Sequence, residues 1–242
     1  MDTLYLIVIV SVLGPVIGSA IGVLKKTSTL YICNMLCFAA GVMLSISFLE
    51  LVPESIKMSS VVFCALGIII GSLVMYVLDK TVPHVHPEFC SVEQGRNLER
   101  TSIYLILGIF LHNFPEGMAI AIGGVADEKA GISIALAIAV HNVPEGICTS
   151  SPYYNITGNR VKAFLYSAST ALPLLLGFLF ARFVFTDISS NVMGTIIGAT
   201  AGLMIYIAAD ELIPSSCEAS GSHSTIFSLM LGVLFVIFLM GI

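Results

Sequence analysis

The sequence predicts an all-α protein that crosses a membrane several times. Of its 242 residues, 57% are hydrophobic and only 10% are charged, whereas about 25% of the residues in an ordinary soluble domain are charged. The mean hydropathy is +1.01. Apolar residues also form runs of about 20, the length that an α-helix needs to cross the hydrocarbon core of a bilayer. The net charge of −5 is spread over short loops, so the chain lacks the basic stripe of a nucleic-acid-binding protein.

Eight apolar runs are long enough to span the membrane. The first run could instead be a secretory signal sequence, but Asp2 is the only charge before its apolar core, where a signal peptide carries basic residues. We therefore treat 1–242 as a single transmembrane domain with a longer cytoplasmic loop at 80–100. The predicted spans are 4–24, 30–52, 59–79, 101–123, 131–150, 161–184, 191–213 and 225–242.

Basic residues are unevenly distributed between the loops on the two sides of the membrane. Loops 2, 4 and 6 hold only Lys57, Lys129 and Arg182. The odd-numbered loops hold a larger set, namely Lys25, Lys26, Lys80, Arg96, Arg100, Arg160 and Lys162. Because cytoplasmic loops are enriched in Lys and Arg, we expect both termini to be extracellular or lumenal, with the plasma membrane as the membrane of residence.

A segment of the second span recurs in the seventh. Residues 41–53 and 202–214 match in register at Gly, Met, Ile, Glu, Leu and Pro. The two spans run in opposite directions, which is the pattern of an inverted-repeat transporter, with spans 1–3 and 6–8 related around spans 4–5. Each acid at the ends of these spans either contacts a passing cation or merely caps and solvates a helix end. These acids are Glu50 and Glu54 at the outer mouth and Asp210 and Glu211 at the inner mouth.

The hexapeptide His-Asn-x-Pro-Glu-Gly occurs twice, at 112–117 in span 4 and at 141–146 in span 5. An ionisable residue at bilayer depth costs about 2.5–3.5 kcal/mol on insertion scales, so such residues are functional candidates. In each copy, His and Glu are four residues apart and Asn and Glu three, which places them on one helical face. Each Pro should release the carbonyl four residues back and kink its helix. The antiparallel copies therefore predict a midplane set of ligands: His112, Asn113, Glu116, His141, Asn142 and Glu145.

This combination of donors narrows the ion that could bind. Imidazole nitrogen with carboxylate oxygen suits zinc, iron or manganese, whereas calcium and magnesium prefer oxygen ligands alone. Two glutamates in a low-dielectric environment repel each other unless a divalent cation or protons neutralise them. We therefore expect metal and protons to compete, so that acid weakens binding. The two copies could hold one tetrahedral ion or an adjacent pair bridged by carboxylates.

Three functions fit a buried metal site in a membrane protein. A transporter accounts for polar residues at both mouths and at the midplane. A membrane-embedded metallohydrolase could use bound zinc to activate water, but the sequence has neither a His-Glu-x-x-His segment nor an evident Ser/His/Asp set. A metal receptor that does not transport is the third alternative. We expect no enzyme activity and no cofactor, with the metal as the transported substrate.

The double hexapeptide also resembles that of the ZIP (ZRT/IRT-like protein) family of divalent metal transporters. Within this family, the sequence looks most similar to the bacterial-type branch. Segments 40–44, 78–88 and 210–214 support the resemblance, which covers essentially the whole chain. It implies eight spans in a 3+2+3 arrangement and influx of zinc, or of iron, manganese or cadmium, by alternating access. Spans 1, 4, 5 and 6 would slide against spans 2, 3, 7 and 8. The six motif residues would be the ligands of the transported metal. The resemblance also allows a homodimer.

Two further features bear on how the metal is held. Many relatives carry an additional metal-site glutamate in span 6, but this chain has no acid between Lys162 and Asp187. We therefore expect a single well-defined high-affinity site with a weaker or absent neighbour. Loop 3 contains His84 and His86 close to Glu88. The resemblance suggests that this histidine pair receives or senses the metal, although a polar turn between prolines explains the segment equally well.

Overall fold

The structure, a computed structural model, describes residues 3–81, 97–126, 128–185, 189–220 and 222–241. Within these ranges every regular element is helical. We number eight helices in chain order and count segments joined by an irregular turn as one helix. They are α1, Thr3–Gly22; α2, Thr29–Met58; α3, Val61–Thr81; α4, Asn97–Ala126; α5, Glu128–Thr157; α6, Arg160–Val184; α7, 190–220; and α8, Ser224–Met240.

Seven of these helices are long and apolar enough to cross a membrane. The remaining helix, α8, is equally apolar but has 17 residues, which at 1.5 Å per residue is about 26 Å. Each helix coincides with one predicted span. The structure extends several helices beyond the apolar runs, so that α4 and α5 each have 30 residues.

Three helices contain an irregular turn. In α2, the α-helix Thr29–Ile46 passes through a π-turn at Ser47–Leu51 into Val52–Met58. In α7, Ser190–Ile207 passes through a π-turn at Ala208–Leu212 into Ile213–Ser220. A proline follows each π-turn by two residues, at Pro53 and Pro214. Because proline cannot donate to the carbonyl four residues back and clashes with it, the local widening of both helices has a clear cause.

The third irregularity lies in α6, at the turn formed by Ser169 and Thr170. It separates Arg160–Ala168 from Ala171–Val184. Pro173 lies in the first turn of the second segment and has no amide hydrogen for the carbonyl of Ser169, which explains why the helix breaks here. The apolar pattern predicted a continuous span over 161–184, and the structure adds a break in its N-terminal half.

The helices pack mainly in four pairs, α1 with α5, α4 with α6, α2 with α8 and α3 with α7, while α4 and α5 also contact each other at the centre. Glycines permit the close approach within pairs. A side chain on Gly18 would collide with the carbonyl oxygen of Val143, and one on Gly177 with that of Phe114. Small residues at such crossings let helix backbones approach closely, which is how helices associate in lipid.

The outward surface is apolar where lipid would contact it. Large hydrophobic side chains such as Leu73 on α3 and Phe238 on α8 are 56% and 69% exposed. The central helices α4 and α5 instead bury both apolar and polar side chains. A soluble protein would reverse this distribution, so the arrangement places the polar centre out of contact with the hydrocarbon.

Candidate functional site: a buried histidine and glutamate centre

The two hexapeptides lie in the middle of α4 and α5 and face each other. All six predicted ligands are buried, with exposed fractions of 3% or less. Pro115 and Pro144 lie inside the helices, as the motif requires. The structure therefore buries all six side chains that the sequence singled out, and contacts between α4 and α5 join four of them: His112, Glu116, His141 and Glu145.

The histidines and glutamates pair crosswise between the helices. His112 Nε2 on α4 lies 3.3 Å from Glu145 Oε1 on α5. His141 Nε2 on α5 lies 3.2 Å from Glu116 Oε1 on α4. His112 Nε2 is also 3.9 Å from Glu116 Oε1 within its own helix. The two copies thus form one cluster of four side chains, and each His–Glu pair takes one residue from each helix.

Hydrogen-bond donors in this cluster are few. His141 Nδ1 lies 3.2 Å from the carbonyl oxygen of Ala137, and because a carbonyl can only accept, Nδ1 is the protonated nitrogen. The contact between His141 Nε2 and Glu116 then needs one more proton, on either the imidazole or the carboxyl group. A divalent cation between the two groups would replace that proton. The geometry therefore makes proton and metal alternatives at the same place.

Several polar atoms of the six motif side chains have no hydrogen-bond partner although they are buried. These atoms are Asn113 Oδ1, Glu116 Oε2, Asn142 Oδ1, Asn142 Nδ2 and Glu145 Oε2. Leaving such a group unsatisfied costs about 1–3 kcal/mol, and more if it is charged. Four of the five are oxygens, which are the atoms that coordinate a divalent cation together with imidazole nitrogen.

The amide group of Asn113 shows how α6 contributes to the centre. Asn113 Nδ2 donates a hydrogen bond of 2.7 Å to the carbonyl oxygen of Thr170, at the break in α6. This bond fixes which end of the amide faces α6 and leaves Oδ1 buried without a hydrogen-bond partner. Span 6 has no acid between Lys162 and Asp187, and the group that it places beside Asn113 is a backbone carbonyl. Pro173 was the signal that could have indicated the break.

Within the described ranges, no three His, Cys, Asp or Glu side chains already form a metal site. His112 and His141 each point at a carboxylate oxygen rather than at a common centre. The donors are present, but binding would require each imidazole to separate from its carboxylate by the width of an ion. Only small side-chain rotations are needed, because the four groups already lie within 4 Å of a neighbour.

The acids predicted at the outer mouth differ in their surroundings. Glu50 lies in the π-turn of α2, half-buried, where its carboxylate accepts a hydrogen bond from Ser133 near the start of α5. Glu54 is 9% exposed and its Oε2 lies 3.3 Å from Lys57 Nζ. Glu50 therefore bridges towards the helix that carries the second motif, whereas Glu54 forms a local ion pair.

The acids predicted at the inner mouth also differ. Asp210 and Glu211 are neighbours in the π-turn of α7. Asp210 is exposed and lies near Tyr206, whereas Glu211 is only partly exposed. The carboxylate of Glu211 interacts electrostatically with His112 of the central cluster. The loop residues His84 and His86 lie outside the described part of the chain.

Comparisons with known proteins identify the family to which this chain belongs. The family model described as ZIP Zinc transporter matches residues 3–99 and 88–240. The protein named zinc transporter ZupT from Enterobacter sp. (strain 638) is 36% identical over 226 residues, covering 90% of this chain and 88% of its own length. Proteins of the same name from Shigella dysenteriae serotype 1 (strain Sd197) and Escherichia coli (strain K12 / DH10B) are both 37% identical, with the same coverage of 90% and 88%. With its apolar helices, the chain is an integral, multi-pass membrane protein that belongs to the ZIP zinc transporter family.

Proposed function

We propose that this protein carries zinc, or a similar divalent transition metal, across the membrane into the cytoplasm through the cluster between α4 and α5. The observation that carries the proposal is the crosswise pairing of His112 with Glu145 and of His141 with Glu116. Buried imidazole and carboxylate groups at bilayer depth are costly, and a transported cation explains why both helices carry them. The relatives named zinc transporters support zinc as the first choice of ion.

The donor types support a metal range wider than zinc alone. Nitrogen and oxygen ligands also suit iron and manganese, whose geometric requirements differ from those of zinc mainly in coordination number. Cadmium resembles zinc in charge and accepts the same ligands. We propose that the six motif residues bind one such ion at a time, since the amide nitrogen of Asn113 is directed at Thr170 and span 6 offers no acid for a second ion.

Packing between the helices supports a 3+2+3 arrangement with inverted repeats. Gly202 follows Gly41 in the chain by the same number of residues as Leu229 follows Ile68, so the two residues of each pair are equivalent positions of the repeat. A side chain on Gly41 would collide with the carbonyl of Leu229 on α8, and one on Gly202 with the carbonyl of Ile68 on α3. The same interval relates the two π-turns, Ser47–Leu51 and Ala208–Leu212. These equivalent contacts are what two copies of one three-helix unit would make around α4 and α5.

The pairing also supports a division into two moving parts. The pairs α1 with α5 and α4 with α6 fall in one group, and the pairs α2 with α8 and α3 with α7 fall in the other. We propose that the group formed by α1, α4, α5 and α6 carries the metal and slides against the second group. Alternating access of this kind exposes one midplane site to each side in turn.

The two π-turn glutamates are the proposed entrance and exit contacts. Glu50 reaches Ser133 on α5, and Glu211 interacts with His112 on α4. With both termini extracellular or lumenal, as the loop charges predict, Glu50 lies on the outer side and Glu211 on the inner side. Glu54 and Asp210 are further candidates at the two mouths, with Glu54 held by Lys57.

Uptake of radiolabelled zinc into proteoliposomes tests the proposal. We expect the double variant Glu116→Gln with Glu145→Gln to lose uptake, because both carboxylates that would bind the cation in place of a proton are gone while side-chain size is kept. Glu128→Gln is the matched control, since Glu128 is an exposed acid at the start of α5, and it should leave uptake unchanged.

Full uptake by the double variant would refute the assigned site. Zinc binding to the wild-type protein without any uptake would favour the receptor alternative, and release of hydrolysis products from lipid or peptide in the same preparation would favour the enzyme alternative. Each result therefore separates one of the three functions from the others.

A further inference from the structure

Loop 1, residues 23–28, connects the two groups of helices described above. It runs from the end of α1 to the start of α2. Helix α1 packs with α5 in one group, and α2 packs with α8 in the other. Any movement of one group against the other must change the distance or the direction between the two ends of this loop. The contacts of loop 1 therefore limit how far the groups can move apart at this point.

Two side chains of α5 hold the loop at its two ends. Ser151 Oγ donates a hydrogen bond of 3.0 Å to the carbonyl oxygen of Gly22, the last residue of α1. Asn155 binds both backbone groups of Thr27: its Oδ1 accepts from the amide at 3.3 Å and its Nδ2 donates to the carbonyl at 3.0 Å. Ser151 and Asn155 are four residues apart and so lie on one face of α5. Residues 22–27 are thereby attached to the group that contains α1 and α5.

The free part of the connection is the single residue Ser28. Its side chain caps the first turn of α2 by accepting a hydrogen bond of 3.2 Å from a backbone amide, and its backbone is extended, with φ −77° and ψ 154°. While Asn155 holds Thr27, the Cα atom of Thr29 can lie at most about 7 Å from that of Thr27, because an extended chain spans about 3.3–3.6 Å per residue. Measured from Gly22, a released loop would reach about 24 Å.

We propose that Asn155 is a latch that sets the length of the tether between the two groups of helices. When the latch is closed, Ser28 alone forms the tether and keeps the start of α2 beside α5, as in this structure. When the two hydrogen bonds to Thr27 open, the whole loop becomes the tether and α2 can move further from α5. The latch rests on the proposed function only for the division into two moving groups, and it favours the arrangement seen here over displaced ones.

Disulfide formation across the boundary between the groups reports on the latch. The reporter protein carries Ile32→Cys beside native Cys148, with Cys33→Ser and Cys37→Ser to prevent other pairings. In proteoliposomes without zinc, at a fixed concentration of oxidant, the rate of disulfide formation measures how often the start of α2 lies beside α5. We expect Asn155→Ala to slow this rate by about threefold or more, the effect of losing two hydrogen bonds between neutral groups. Mass spectrometry of the cross-linked peptides provides the measurement.

Insertions in loop 1 separate the length of the tether from other effects of Asn155. Two glycines inserted between Thr27 and Ser28 lengthen the tether while the latch stays intact, so they should slow disulfide formation as Asn155→Ala does. The same insertion between the exposed residues Lys25 and Lys26 lies on the α5 side of the latch and should leave the rate unchanged. Asn159→Ala is a second control, because Asn159 caps α6 within one group, and it should also leave the rate unchanged.

Three outcomes would overturn the latch. They are an unchanged rate in Asn155→Ala, an unchanged rate after insertion between Thr27 and Ser28, and equal slowing by the two insertions. The insertions alter no helix, so they test the tether even if Asn155→Ala disturbs folding. Because the reporter needs no zinc, its result is independent of the metal site. Full zinc uptake without both motif glutamates would refute the proposed function and leave the latch standing.

Discussion

At the residue scale, the central feature is that each buried imidazole contacts a carboxylate from the other helix. The distances of 3.3 and 3.2 Å are those of a hydrogen bond, so each imidazole and its carboxylate hold one proton between them. Because Ala137 fixes the proton on Nδ1 of His141, the opposite nitrogen is the one that can turn to a metal. Second contacts that fix the tautomer in this way are common around metal-binding histidines.

This arrangement predicts that acid weakens zinc binding to the purified protein. Zinc must displace the protons shared by the His112–Glu145 and His141–Glu116 pairs, so adding protons favours the metal-free pairs. Competition titrations with a chromophoric zinc chelator across a pH series should show affinity falling as pH falls. Glu128→Gln, at an exposed acid, should show the same pH dependence as the wild type. A zinc affinity independent of pH would contradict displacement of protons by the metal.

Sequence alone predicted these six residues because their spacing leaves few alternatives. Side chains three and four residues apart share a helical face, and two antiparallel copies at equal depth must face each other. The direction of the Asn113 amide was not predictable, because it depends on the carbonyl of Thr170 at a break in another helix. The contact of Glu50 with Ser133 was also not predictable, because it depends on the packing of α2 against α5. Glu54 instead pairs with Lys57 on its own helix.

At the element scale, the two π-turns change what neighbouring acids can do. A π-turn widens the helix and redirects consecutive side chains, which accounts for the contrast between exposed Asp210 and partly exposed Glu211. The repeated segments 41–53 and 202–214 include both turns and end at Pro53 and Pro214, but the sequence pattern predicted regular helix there. The two neighbouring acids of this turn therefore differ in exposure, and only Glu211 interacts with His112 of the centre.

The two acids of the α7 π-turn should therefore differ when they are replaced. We expect Glu211→Gln to reduce zinc uptake several-fold, because Glu211 interacts with His112, while zinc affinity at the centre changes less. Asp210→Asn changes the adjacent, exposed acid and should leave uptake within about twofold of the wild type, a difference of about 0.4 kcal/mol. Initial rates in proteoliposomes provide the measurement. Equal loss of uptake in both variants would show that general surface charge, not the direction set by the π-turn, matters.

At the scale of the whole molecule, the helix pairs form two groups that contact each other around the centre. Sliding between them should be blocked by a disulfide across the boundary and tolerated within a group. Ile32→Cys on α2 would lie beside native Cys148 on α5, whose Sγ is 3.7 Å from the Ile32 carbonyl. With Cys33→Ser and Cys37→Ser to prevent other pairings, we expect oxidation to stop zinc uptake and a reductant to restore it.

A disulfide inside the moving group is the matched control. The hydroxyl oxygens of Ser19 on α1 and Ser167 on α6 are 2.6 Å apart, so Ser19→Cys with Ser167→Cys offers a similarly buried pair. Oxidation of this pair should leave uptake largely unchanged. If oxidation affected both proteins equally, the division into two sliding groups would be wrong.

The central claim is that the transported metal binds among the six motif residues between α4 and α5, and anomalous scattering from zinc-soaked crystals tests it most directly. The account predicts one strong peak within coordination distance of His112, Glu116, His141 and Glu145, lost in the Glu116→Gln with Glu145→Gln protein. Strong zinc peaks elsewhere in the membrane-spanning helices, with none between these four side chains, would contradict it.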